Sequence, residues 1–457
     1  MSTSSKTAPT SKSSSRSQFA RFRHREFTAG SAIGWGMAQN QPVERYMILS
    51  SDTHAGAQTR TYKEFLDPAW HDEFDAWEAA ITNPWVDLRD MDAAKVNWDS
   101  DARTAACDAE GITGEVLFPN TLTPFYDILV HLSGVPDTAN GYARRWAGLQ
   151  AHNRWLVEFC GYEPKRRKGL IQLLPNDLDD AIAEVRWAAE TGVIGGVMIP
   201  AIPPNHVVQP FFHPRYDPLW DVCSSLEMPV HQHMGSGCPD MGDDPVAWGV
   251  TFTEYELWPK RTLIHLILGG VFERFPDLRV VWTEMWGMRW ILEELSRIDQ
   301  RLRNIQSKYA GDPRTLNYAP TFGSETVDSL SLTPIEYWQR NCRIGASMLP
   351  RAEVQYRHAV GVDTIMWGAD FPHDEGSIGY TTEALAATMW DVPEEECHKM
   401  LTDVAADLYR FDTEALAPIA ARIGPPVAEV HTPLDELPES KSLSFNTEPA
   451  LESVIVR

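Results

Sequence analysis

Eight short apolar or β-branched runs recur along the chain. They lie at 46–52 (YMILSSD), 114–119 (GEVLFP), 169–175 (GLIQLLP), 195–200 (GGVMIP), 229–235 (PVHQHMG), 278–284 (LRVVWTE), 342–348 (CRIGASM) and 364–370 (TIMWGAD). Between them run longer amphipathic stretches. Asn176 is placed to cap one helix, with acids in its first turn and Leu178, Ala181, Ile182, Val185 and Ala189 on one face. Another helix runs from about Trp286 through Leu292, Leu295 and Ile298. Strand–helix alternation repeated eight times predicts parallel strands, and most economically an α/β fold of the closed (β/α)8 TIM-barrel type. The alternative is an open doubly wound sheet. It would want a glycine-rich phosphate turn after the first strand, where the sequence reads SDTHAGAQTR and does not fit G-x-G-x-x-G.

Composition narrows the functional classes. The 457 residues are 43% apolar and carry a formal charge of −24. A surface that acidic repels phosphate backbones and anionic lipid heads, which argues against nucleic-acid and membrane roles. No apolar run approaches the roughly 20 residues of a membrane span. The six cysteines are scattered without a C-x-x-C, which fits a reduced, cytoplasmic protein with neither a disulfide framework nor a cysteine zinc site. Seventeen tryptophans suggest aromatic walls in the interior or around a pocket.

Residues 1–45 form a basic, Ser-rich N-terminal extension. It reads as a disordered tail or as an arm gripping a partner through Phe19, Phe22 and Phe27. Residues 46–412 form the barrel domain. Residues 413–457 form a C-terminal extension that becomes Pro- and Glu-rich and ends in the apolar string LESVIVR.

In a barrel of this kind the active site lies at the C-terminal ends of the strands. Acids and imidazoles collect there: Asp52 and His54 on the first strand, His231 and His233 on the fifth, Glu284 ending the sixth, and Asp370 with His373 after the eighth. Residues two apart on a strand share a face, so Asp52 and His54 can reach one metal ion together. Carboxylates with imidazoles suit zinc, iron or manganese. Each residue also has a plainer reading. Asp370 could cap a helix, Glu284 could pair with Arg289, and His231 and His265 read as core. Asn153 reads as structural or as a support behind the site.

The strings SSDTHAG, GLIQLLP, LEMPVHQHMG, GVFERFPDLRVVWTE and IMWGADFPHDEG resemble the amidohydrolase-related proteins of the decarboxylase-like branch, amidohydrolase family 2. The resemblance spans about 46–412. It implies a metal-dependent barrel with Asp52, His54, His233 and Asp370 as metal ligands, His233 rather than His231 occupying the ligand position. Two departures from that pattern matter. The first strand has Asp-x-His where many amidohydrolases have His-x-His, and the fourth supplies no lysine for a dinuclear bridge. Glu284 also stands where the decarboxylases carry a catalytic His.

Three functions follow from this. With Glu284 and His373 added, the rim offers three carboxylates and three imidazoles. That inventory suits a dinuclear, carboxylate-bridged iron site, as in relatives that look like diiron monooxygenases of small carboxylate or amino-acid-like substrates. This is the preferred expectation, with Glu284 and Asp370 catalytic and dioxygen a co-substrate. Arg60 is the expected cation for the substrate carboxylate, with Tyr126, Trp286, Trp367, Phe125 and Phe371 as walls. The second function is metal-assisted hydrolysis or non-oxidative decarboxylation. The third is a non-catalytic metal-holding subunit paired with an active paralogue. The chain is accordingly expected to be a homo-oligomer, or a hetero-oligomer with a paralogue, and the long 235–262 loop to be a lid or a subunit contact.

Overall fold

A computed structural model describes residues 43–82, 94–242, 244–309 and 328–445. The basic stretch with Phe19, Phe22 and Phe27 and the C-terminal string 451–457 lie outside them. The eight expected runs are eight strands: β1 Ile48–Ala55, β2 Ile112–Pro119, β3 Arg167–Gln172, β4 Ile194–Met198, β5 Val230–His233, β6 Val280–Thr283, β7 Cys342–Ser347 and β8 Ile365–Gly368. They form one sheet in sequential order, and neighbouring strands pair in parallel. The sheet closes where β8 returns to β1. Asp370 N–H donates to the Asp52 carbonyl (3.0 Å), His54 N–H donates to the Phe371 carbonyl, and Ser50 Oγ accepts from Ala369 N–H. The fold is the expected TIM barrel.

The strands are near-continuously buried because helices cover their outer faces while side chains fill the interior. Leu49, Val116, Phe118, Leu170, Met198, Val281 and Met366 make the inner cluster. The helix Val404–Tyr409 joins that cluster, and Thr402 Oγ1 donates to the Met47 carbonyl just before β1. This end of the barrel is therefore plugged, and chemistry is left to the opposite mouth. The boundary expected at residue 412 does not interrupt the packing. Leu416 belongs to the inner cluster, and Tyr46 and Val427 exchange backbone hydrogen bonds with Pro425 and Glu44.

Two local expectations need correction. Asp177, not Asn176, caps the helix Leu178–Glu190: its carboxylate accepts from the N–H groups of Asp179 and Asp180, while Asn176 donates to the Pro136 carbonyl. Arg289 does not pair with Glu284. It pairs with Glu293 one turn along its own helix.

The sheet's outer layer also contains a buried ionic cluster. Glu115 on β2 accepts from Arg103 (2.7 Å) and Arg167 (3.2 Å), and Arg103 in turn donates to the backbone carbonyl of His54. Burial alone would push the Glu115 carboxyl up. Arg103 first, then Arg167 and Arg166, pull it from its ordinary 4.5 down to about 2. A carboxyl lowered on folding contributes stability that is complete above 4.5 and is lost as pH falls toward 2. Replacing Glu115 by Gln should therefore cost about 3–5 kcal/mol at neutral pH, since two guanidinium groups are left buried with no anion. It should also flatten the acid limb of the stability curve. Denaturant titrations at a series of pH values measure both, and an unchanged acid limb would refute the assignment.

Candidate metal centre

The pattern of period two that suggested a shared ligand face holds in β1, which runs three residues further than its apolar run. Asp52 and His54 thus lie within the strand and not at its end. Both are fully buried, as are His233 and Asp370. His54 Nε2 lies 3.3 Å from Asp52 Oδ1 and 3.3 Å from Asp370 Oδ1. His233 Nε2 lies 4.0 Å from Asp52 Oδ1 and 3.1 Å from Glu284 Oε2. Two groups of donor atoms emerge, one from Asp52, His54, His233 and Glu284, the other from His54, Asp370 and His373.

The remaining atoms of these side chains are tied down. His54 Nδ1 donates to the Pro119 carbonyl (3.1 Å) and His233 Nδ1 to the Met234 carbonyl (3.0 Å), which leaves each Nε2 as a lone pair. Ser347 at the end of β7 donates to Asp52 Oδ2. Gly368 makes room for this contact, because a Cβ there would sit 2.7 Å from both Asp52 Cβ and Ser347 Oγ. His373 reaches Asp370 Oδ1 with Nδ1 (2.8 Å) and Asn120 Oδ1 with Nε2 (3.0 Å). Asn97 Oδ1 accepts from Asn120 Nδ2 (2.7 Å), which fixes the orientation of the Asn120 amide.

Among the described residues, Asp52 Oδ1, His54 Nε2, His233 Nε2 and Asp370 Oδ2 have no hydrogen-bond partner. Four buried acceptors left bare around the two imidazoles are costly unless a cation meets them. The donor set therefore fits a divalent metal. Two oxygens and two nitrogens suit zinc, manganese or iron.

The electrostatics are strong. Burial works against a charge on His54, but Asp370 and Asp52 outweigh it and hold its pKa well above the ordinary value, so a proton occupies the Nε2 lone pair until a cation takes its place. Burial lowers His233 to about 4. Burial raises Glu284 well above its usual range, and Asp370 and Asp52 add to the effect. The backbone is strained here too: Glu284, Met348 and Asp370, each just past its strand, have φ of 59°, 50° and 52°.

Other expected residues fall elsewhere. Arg60 is not a rim cation. It lies on the surface, 62% exposed, bound to Asp75 and Glu78. Trp286 is 45% exposed and faces Phe252, so it does not wall a closed site. Tyr126 is buried, with its hydroxyl unpartnered among the described residues and the Arg145 guanidinium 5.0 Å over its ring. Trp367, Phe125 and Phe371 are buried. His231 is core: it stacks on Tyr409 at the plugged end. His265 packs against Phe212, and Asn153 bridges β3 and Glu184 through Gln172. The sequence reading missed Ser347, Asn120 and His131. His131 is buried against the rings of His233 and His54, at 4.7 and 5.5 Å.

Several solved structures share the fold. An amidohydrolase from Mycobacterium avium subsp. paratuberculosis K-10 superposes with a TM-score of 0.60 at 19% identity, covering 80% of this chain and 99% of its own. A 5-carboxyvanillate decarboxylase from Sphingomonas paucimobilis gives 0.53 at 18%, with the same coverage. A 5-carboxyvanillate decarboxylase from Novosphingobium aromaticivorans, complexed with manganese and a nitrobenzoic acid, gives 0.57 at 17%, covering 80% and 96%. No curated protein matches the sequence. The family model described as Amidohydrolase matches residues 126–411, more than half of the chain, and the protein therefore belongs to the amidohydrolase family.

Proposed function

We propose that this protein is a metal-dependent, non-oxidative decarboxylase of a small aryl carboxylate. One divalent ion would be held by Asp52, His54, His233 and Asp370. The observation that carries this reading is the set of four buried, unpartnered acceptors on Asp52, His54, His233 and Asp370, with both carboxylates beside the His54 imidazole. Bound there, a divalent ion polarises the substrate's oxygens. The chain's own residues supply the rest. Decarboxylation replaces a carboxylate with hydrogen, so the site must deliver a proton to carbon. Glu284, 3.1 Å from His233 and 6% exposed, is placed to do so. His373, braced by Asn120, orients Asp370, and Ser347 orients Asp52. The fold neighbours include decarboxylases of aryl carboxylates, one with manganese bound, which supports the choice of chemistry.

The diiron monooxygenase reading rests on the second donor group, His54, Asp370 and His373, together with Glu284. It ranks lower because both ring nitrogens of His373 are already engaged. Metal analysis separates the two. Loading with manganese or iron should give about one ion per chain, and carbon dioxide should be released from one of a panel of hydroxylated benzoates. Two irons per chain with substrate-coupled oxygen uptake would overturn the decarboxylase reading.

The residue roles predict a pattern. His54→Ala and His233→Ala should each abolish metal binding. His231→Ala should keep the metal and lose about 1–3 kcal/mol of stability, measured by denaturant unfolding. Glu284→Gln should keep the metal and lower turnover about a hundredfold or more. Loss of one of two metals in Glu284→Ala would favour the dinuclear site instead.

A further inference from the structure

His131 lies on a short 3₁₀ turn, Val130–Leu132, that follows β2. The turn is locked against the loop after β5. Gly235 there has φ +78°, and a Cβ on it would sit 2.3 Å from Leu132 Cδ2. The imidazole is 5% exposed and packs on both His233 and His54. It reaches the Pro119 backbone, the same residue whose carbonyl holds His54, yet its Nδ1 has no partner among the described residues. It belongs to neither donor group of the metal centre. An imidazole held by one nitrogen beside a ligand pair, with the other nitrogen bare and buried, is built to meet something that arrives.

We propose that His131 is a substrate-positioning residue. Its Nδ1 accepts a hydrogen bond from a hydroxyl or amine on the molecule bound at the metal centre, and so selects donor-bearing carboxylates over their unsubstituted analogues. The proposal rests on the single-metal reading above. It adds a determinant of specificity from the loop after β2, in place of the rim cation expected of Arg60 after β1.

The test uses the full chain loaded with cobalt(II), whose absorption spectrum reports binding at the metal. Benzoate and 2-hydroxybenzoate are titrated as probes. The wild-type protein should bind the hydroxylated probe about fivefold or more tightly, the worth of one neutral hydrogen bond. In His131→Leu the preference should fall to less than about twofold, with one cobalt per chain retained. In His131→Asn, which keeps an acceptor near the Nδ1 position, most of the preference should return. A preference that survives in His131→Leu would overturn the proposal, since chelation by the metal would then account for it. Loss of cobalt in His131→Leu would also overturn it, making His131 part of the metal site. If the wild-type protein takes up no cobalt, the metal reading itself fails, which is distinct from failure of the His131 role alone.

Discussion

The closure of β8 onto β1 is the constraint on which the site depends. Asp370 N–H on the Asp52 carbonyl, and His54 N–H on the Phe371 carbonyl, bring residues more than 300 positions apart into one ladder. They also place two carboxylates on either side of the His54 Nε2, at 3.3 Å each. A barrel that failed to close would separate Asp370 from Asp52 and His54 and leave no donor set. Each such buried ion costs several kcal/mol of desolvation that pairing must offset. The pairing within this cluster is incomplete, and the bare lone pairs are where a cation would complete it.

The surroundings hold that cluster through its backbone and its outer atoms. Arg103 grips the His54 carbonyl from outside the sheet, and Glu115, itself held by Arg167, neutralises and fixes Arg103. Pro119 and Met234 carbonyls set the tautomers of the two imidazoles, and Ser347 and His373 each take one carboxylate oxygen. The inward atoms stay bare because every other atom is occupied. Fixed ring orientation with one free nitrogen is the usual support of a metal-bound histidine.

Much of this was legible in sequence, for physical reasons that also explain the misses. Parallel strands covered on both faces read as apolar runs, so all eight were found with ends shifted by a few residues. Asp52-x-His54 was legible because a strand repeats every two residues and the pair must share a face. His131 was not, since it sits on a 3₁₀ turn where neither strand nor helix period assigns a direction. Arg60 misled because a cation just past the first strand looks placed for the rim, yet Asp75 and Glu78, on one face of the next helix, capture it at the surface. Asn176 and Asp177 are adjacent capping residues. Only the backbone decides which one sits at the helix entrance.

Strain at the barrel mouth follows from the same geometry. Glu284, Met348 and Asp370 each follow β6, β7 or β8 in a left-handed conformation that non-glycine residues seldom adopt. Each costs of order 1–3 kcal/mol and persists only where surroundings over-determine it. At Asp370 the over-determination is explicit: its N–H is spent on β1 and its carboxylate on His54 and His373. At Glu284 the N–H is spent on the Gly345 carbonyl of β7, while among the described residues its carboxylate forms an ion pair with His233 alone. Backbone fixed and side chain lightly held is the opposite of what Asp52 and Asp370 present. It suits a group whose work lies toward a bound molecule, which supports the proton-delivering role proposed for Glu284.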